Sequence, residues 1–194
     1  MRSILYPMIL LAGLIAVSRC ARPAAGQTPE NKPPKTPDCV YVGTPHDVVD
    51  KMLEMGKITK DDVVYDPGCG DGRILIGAAK RYGCKGVGFE IDPKLAAEGR
   101  KLAKKRKVDR LVKIEEQDIF TVDYREATVI EMYLLPDMIV KLLPQFEKLK
   151  PGSRIVAHDY PIRGIVPEDK FSMRSSEDGV EHTLYFYTLP LKKE

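Results

Sequence analysis

The chain has 194 residues, 43% hydrophobic and 30% charged, with a formal net charge of +3. That is enough material for one ordinary globular domain with a real core, which excludes a chain too short or too polar to bury one. A surplus of three positive charges carries no message about partners.

Residues 1–26 read as a secretory signal peptide. Arg2 precedes an apolar run from Ile4 to Val17, and the small residues Ala24, Ala25 and Gly26 stand before Gln27. The run is shorter than the roughly 20 residues of a comfortable membrane span. Read instead as a short membrane anchor, it would have Arg19 and Arg22 holding the rest of the chain on the cytoplasmic side. Export, to a periplasm for example, and membrane association through the N-terminus both stay open. Residues 27–38 (QTPENKPPKTPD) are polar and proline-rich, the composition of an extended linker, so the domain is expected over 39–194. Cys20, Cys39, Cys69 and Cys84 form no CxxC pair, and no metal-binding set is read from the chain.

Within the domain, Thr44 and Pro45 signal a helix start, with Thr44 as N-cap. Val48, Val49, Met52 and Leu53 supply its apolar face, and Gly56 ends it. The next stretch, VVYDPGCGDGRILIGAAK over 63–80, organises the rest. A β-branched run leads to Asp66; Gly68, Gly70 and Gly72 alternate with Cys69 and Asp71; an apolar helical pattern follows. A strand, glycine turn and helix start let the main chain approach a nucleotide-like ligand closely. The spacing is D-x-G-x-G-x-G rather than G-x-G-x-x-G, and the carboxylates of Asp66 and Asp71 repel a pyrophosphate but suit an ammonium group.

Downstream, GVGFEID over 86–92 reads as a second strand ending in Glu90 and Ile91, at the distance of a βαβ unit. A carboxylate at that strand end can accept both hydroxyls of a ribose. A helix over 93–107 ends in a basic run, read as a solvated face that suits the helix dipole. A third strand over 111–116 leads to Asp118 and Ile119, placed to meet an adenine amino group and ring. A fourth strand over 128–133 ends in Tyr133, and a helix over 136–149 follows. A fifth strand over 154–157 ends in His158, Asp159 and Tyr160, with His158 the best general-base candidate because it titrates near neutrality. A final hairpin, 170–175 and 182–189, adds an antiparallel pair at the edge.

The 63–80 stretch resembles motif I of the class I (seven-β-strand) S-adenosylmethionine-dependent methyltransferases, and the resemblance runs from about Tyr41 to Pro190. It implies an α/β fold: a Rossmann-like doubly wound sheet, mostly parallel with an antiparallel C-terminal hairpin, in an α-β-α sandwich. The chain is also distantly similar to non-SET protein lysine methyltransferases. The shared features are the aromatic-x-x-Thr element Tyr41–Thr44, the GDGR of 70–73, Leu-Pro-Asp-Met at 135–138 and Arg-Ile-Val at 154–156. The resemblance implies S-adenosyl-L-methionine as cofactor, with Thr44 and the glycine loop at its methionine end, Glu90 on the ribose and Asp118 near the adenine. It also implies Tyr133 and His158–Tyr160, Asp159 among them, beside the acceptor. A protein lysine is the implied acceptor, with a small molecule, a lipid, or a non-catalytic cofactor-binding module as alternatives. Nucleic acid is disfavoured: the (Asp/Asn)-Pro-Pro-(Tyr/Phe) tetrapeptide of base N-methyltransferases is replaced by Met132-Tyr133-Leu134-Leu135.

Overall fold

The computed structural model describes residues 40–194; the signal or anchor segment and the linker expected over 1–38 lie outside them. The elements follow in the order α1 (His46–Met55), β1 (Val63–Pro67), α2 (Arg73–Tyr82), β2 (Lys85–Glu90), α3 (Pro93–Lys105), β3 (Val112–Glu116), β4 (Val129–Met132), α4 (Pro136–Phe146), β5 (Arg154–His158), β6 (Asp169–Arg174) and β7 (Glu181–Thr188). The strands form one seven-stranded sheet of order β3-β2-β1-β4-β5-β7-β6. β1 to β5 are mutually parallel, while β7 runs antiparallel to β5 and β6 antiparallel to β7. This is the expected Rossmann-like sheet with its antiparallel C-terminal pair.

Two apolar cores sandwich the sheet. α1, α2 and α3 cover one face, with Val49, Leu53, Leu75 and Ala96 packed on Val64, Val129 and Val156. α4 covers the other, with Ile139, Leu142 and Phe146 against Tyr65, Ile130 and Ile155. Alternate residues of each central strand serve opposite cores, so these strands are buried on both sides, as a parallel sheet requires. β6 has no such cover. It is an exposed edge strand carrying Asp169, Lys170 and Arg174, charges that discourage pairing with another sheet.

Local chemistry sets the element ends. Gly72, at φ 75°, turns the chain into α2, and Gly83, at φ 72°, closes it. Asp92 caps α3 by accepting from the Lys94 and Leu95 amides, with Pro93 in the first turn. Thr44 departs from expectation. The residue flanking α1 is Pro45, which makes no side-chain cap, and the Thr44 hydroxyl instead bonds to His158 Nδ1 at 3.2 Å. The hydroxyl is drawn inward because Thr44 is buried and His158 stands opposite it.

The chain reverses its winding between β1 and β4: β2 and β3 lie to one side of β1, β4 and β5 to the other. Loops leaving the carboxyl ends of β1 and β4 there diverge, and the crevice between them is where an open α/β sheet takes its ligand.

Candidate active site

A cavity of about 410 Å³ opens at this switch point. One wall comes from the ends of β1, β2 and β3: Gly68, Glu90, Ile91, Asp118 and Ile119. The other comes from the segments after β4 and β5: Tyr133, Leu134, Leu135 and Tyr160. A small recess shares Tyr41, Val42, Gly68 and Tyr133 with it and adds Thr44, Asp66 and Cys69. Every residue read as a cofactor contact lines one of these two spaces except Gly70, Asp71 and Gly72.

Those three build the glycine loop itself. Gly70 has φ 53°, and a Cβ placed there would stand 2.0 Å from the Tyr41 ring, so only glycine lets Tyr41 close over the loop. Burial and the neighbouring Asp71 push the Tyr41 phenol up to about 12. Asp71 itself lines neither space. Its carboxylate takes the Arg73 guanidinium through Nε at 3.0 Å and Nη2 at 2.8 Å, and the Arg73 amide at 3.1 Å. Burial raises its pKa, but these bonds outweigh burial and hold it below the usual value. Its charge is already matched, so of the two loop acids only Asp66 remains for a cationic ligand. Gly72 serves the turn into α2.

Asp66 is 2% exposed, and its Oδ2 has no hydrogen-bond partner. Burial first, then the charges of Glu90 and Asp71, drive its pKa well above the carboxylate range. A sealed carboxyl without a partner is costly, and an ammonium group in the recess would supply one. Glu90 is the opposite case. Oε2 accepts the Gly70 amide and Oε1 the Asp92 amide, both at 2.9 Å, so its carboxylate is aimed before any ligand arrives. Each oxygen keeps lone-pair capacity for a hydroxyl. Asp118 takes the Phe120 amide at 3.0 Å and starts the short helical turn Ile119–Thr121. The Tyr124 hydroxyl fastens that turn by donating to the Ile119 carbonyl at 2.9 Å, from within an edge-to-face cluster of Tyr65, Phe89, Tyr124 and Phe146. Asp66 beside the glycine loop, the pre-aimed Glu90 and Asp118 with Ile119 have the chemistry to suit the amino-acid, ribose and adenine parts of S-adenosylmethionine.

On the other wall, Tyr133 stacks over Tyr160 with centroids 6.2 Å apart and planes 13° from parallel. Its other neighbour is His158, with a centroid distance of 4.1 Å. His158 is 1% exposed and does not line the cavity. Nδ1 faces Thr44, and Nε2 faces His182 Nδ1 at 2.9 Å. With both nitrogens engaged behind the Tyr133 ring, His158 does not face the cavity as a direct base would. Burial lowers its pKa to about 4. Asp159 also turns from the cavity, accepting the Thr183 amide at 2.9 Å and facing His182 at 3.1 Å. His182, the partner of His158 behind the cavity wall, is a residue that the sequence did not single out, although it alternates with Leu184 and Phe186 along the buried face of β7. A histidine on an inward-facing strand position was the available signal.

Residues 66–169 match the family described as ANTKMT methyltransferase domain. The chain belongs to that family. It is a class I S-adenosylmethionine-dependent methyltransferase, and the cavity lies at the switch point where an open α/β sheet takes its ligand. A protein-lysine N-methyltransferase from Saccharolobus islandicus (strain REY15A) is 44% identical over 156 residues, covering 79% of this chain and 95% of that protein. A lysine N-methyltransferase of Xenopus laevis, named for a component of ATP synthase, is 30% identical over 154 residues, covering 77% of this chain and 63% of its own length. Among solved structures, an RNA methyltransferase from Salinibacter ruber in complex with S-adenosyl-L-homocysteine superposes with a TM-score of 0.71. It is 44% identical, and the match covers 77% of this chain and 94% of that one.

Proposed function

We propose that this methyltransferase modifies the side-chain amine of a lysine in a protein substrate. The observation that carries the reading is the make-up of the cavity wall: Tyr133 and Tyr160 on the acceptor side and acids opposite, with no lysine or arginine among the described residues that line it. Such a wall attracts an amine and repels a phosphodiester, whose binding depends on cations. The basic run ending α3 does not alter this. α3 begins beside the cavity at Asp92 and runs back along the sheet, so its end lies about 20 Å away at 1.5 Å per residue. The Saccharolobus islandicus relative, matched over nearly its full length, supports the same acceptor.

The cofactor supplies a methyl group on a sulfonium, already electrophilic. The chain's task is then to bring a neutral amine in line with it. Tyr133 and Tyr160 form an aromatic rim that takes an alkyl ammonium from water, and desolvation favours its neutral form. Burial, then the charge of Asp159, raises the Tyr133 phenol's pKa, so it stays protonated at neutral pH and acts by contact rather than as a base. With the cofactor bound, the rim would hold the amine, its proton given up to water, facing the methyl group that the sulfonium would supply.

RNA is the second reading, because the Salinibacter ruber protein of equal identity is described as an RNA methyltransferase. Incubating the protein with methyl-labelled S-adenosylmethionine and a whole-cell lysate, then hydrolysing protein and RNA separately, decides between them. Label recovered as N-methyl-lysine is expected. Label confined to nucleosides would transfer the assignment to RNA, and label confined to a solvent extract would transfer it to a lipid or small molecule.

A further inference from the structure

We propose that His158, His182 and Asp159 form a binding site for one divalent transition metal of the zinc type, at the seam of β5 and β7 behind Tyr133. The sequence offers no such set, since the three residues come from two separate segments and only pairing of β5 with β7 joins them. His158 Nε2 lies 2.9 Å from His182 Nδ1, His182 Nδ1 lies 3.1 Å from Asp159 Oδ2, and Asp159 Oδ2 lies 3.4 Å from His158 Nε2. Ligands held 2.0–2.1 Å from a tetrahedral zinc are separated by about 3.3 Å, so this triangle is already close to one face of such a tetrahedron. A single proton among the three atoms could join all of them only as a bifurcated bond, whereas a metal ion satisfies each directly.

The atoms behind the triangle are also held as a metal site requires. Every ligating group has its second polar atom fastened: His158 Nδ1 to Thr44 Oγ1 at 3.2 Å, His182 Nε2 to Asp178 Oδ2 at 3.2 Å, and Asp159 Oδ1 to the Thr183 amide at 2.9 Å. A carboxylate or hydroxyl on the far nitrogen sets the tautomer and ring plane of a metal-binding histidine. Asp159 reaches its place at φ 60°, a left-handed conformation that a non-glycine residue adopts at a cost and that brings its carboxylate to the two rings. Two buried imidazoles and a carboxylate side chain about a quarter exposed leave an entry path on the Asp159 side. Two nitrogens and one oxygen suit zinc, with the fourth position left to water. A metal there would stiffen the surface on which the Tyr133 ring rests.

The test uses the full chain, stripped with a chelator and dialysed against Zn2+ or Co2+. One equivalent of Zn2+ by elemental analysis is expected, and the Co2+ form should show the visible bands of a four-coordinate ion. His182→Gln and Asp159→Asn should abolish both while cofactor binding persists. Asp178→Asn changes an exposed carboxylate outside the triangle and guards against misfolding of the first two. It should weaken Zn2+ binding about 10- to 100-fold. Binding well below one equivalent, or binding unchanged by Asp159→Asn and His182→Gln alike, would overturn the site.

Discussion

The two halves of the sheet that meet at the crevice are built differently. On the β1-β2-β3 side, each functional acid stands at the end of its own strand, and two of them are held by backbone amides of adjoining loops. Glu90 is held by the amides of Gly70 and Asp92, Asp118 by that of Phe120. On the β4-β5-β7 side, the polar groups are held across long stretches of chain: Thr44 to His158 over 114 residues, His158 to His182 over 24. The α1 start and the β6–β7 turn are clipped together in the same way, with Asp47 accepting from Ser175 and Ser176. The proposed cofactor half is thus a set of local devices, and the proposed acceptor half is a convergence. A local device fails alone, while a convergent group fails through whatever rests on it.

Glu90→Ala should show the largest effect. It removes the carboxylate proposed to meet the ribose and strips the Gly70 and Asp92 amides of their partner, and charged hydrogen bonds contribute roughly 1.5–3 kcal/mol each. Titration calorimetry should find cofactor binding weakened about 100-fold or more; a loss under fivefold would dissolve the local picture of this half. Gly70→Ala comes next. A non-glycine residue in the left-handed region costs about 1–2 kcal/mol, and Tyr41 must also move. A melting temperature lower by roughly 3–8 °C is expected, measured by calorimetry.

On the convergent side, Tyr133→Ala removes the ring that separates the cavity from His158. A loss of about 10-fold in kcat/KM is expected from an aromatic–cation contact of roughly 1–2 kcal/mol. Tyr133→Phe keeps the ring and should stay within about threefold, by the same estimate for the ring alone. Equal losses in the two variants would give the hydroxyl a chemical role that its raised pKa argues against.

The smallest effect concerns Glu131 in β4, which neighbours Asp66 on the same face of the sheet. It is fully buried, and neither carboxylate oxygen has a hydrogen-bond partner. Burial first, then the charge of Asp66, raises its pKa well above the ordinary 4.5. A carboxyl with a raised folded-state pKa binds its proton more tightly when folded. Stability is therefore lost as pH rises from about that ordinary value through the folded-state pKa. Glu131→Gln removes this loss. Urea titrations should give matching midpoints near pH 4 and a higher midpoint for the variant at pH 8. A constant gap at all pH values would assign the effect to packing instead.

Much of the candidate site was legible for the same reason that its proposed cofactor half is local. The Asp66-to-Gly72 stretch, Glu90 and Asp118 each declare a strand, a turn and an acid within a few residues, and in the structure Glu90 and Asp118 line the cavity while Asp66 lines the recess beside it. Asp71 misled because its partner, Arg73, lies only two positions away and pairs with it locally. Thr44 and His158 misled in the other direction. The first looks like a helix cap and the second like an accessible base until the fold buries both against each other. His182 was present in an alternating strand but had no partner in view.

Sequence alone determined the alternation of strands and helices, the glycine turn and the order of the cofactor-side acids, because backbone stereochemistry and apolar periodicity act over a few residues. Tertiary structure decided which strand lies beside which. It placed β7 rather than β6 next to β5, and so brought His182 to His158 and Asp159. Strand neighbours are selected by packing two apolar faces at once, a condition that spans the whole chain and that no short window of residues contains.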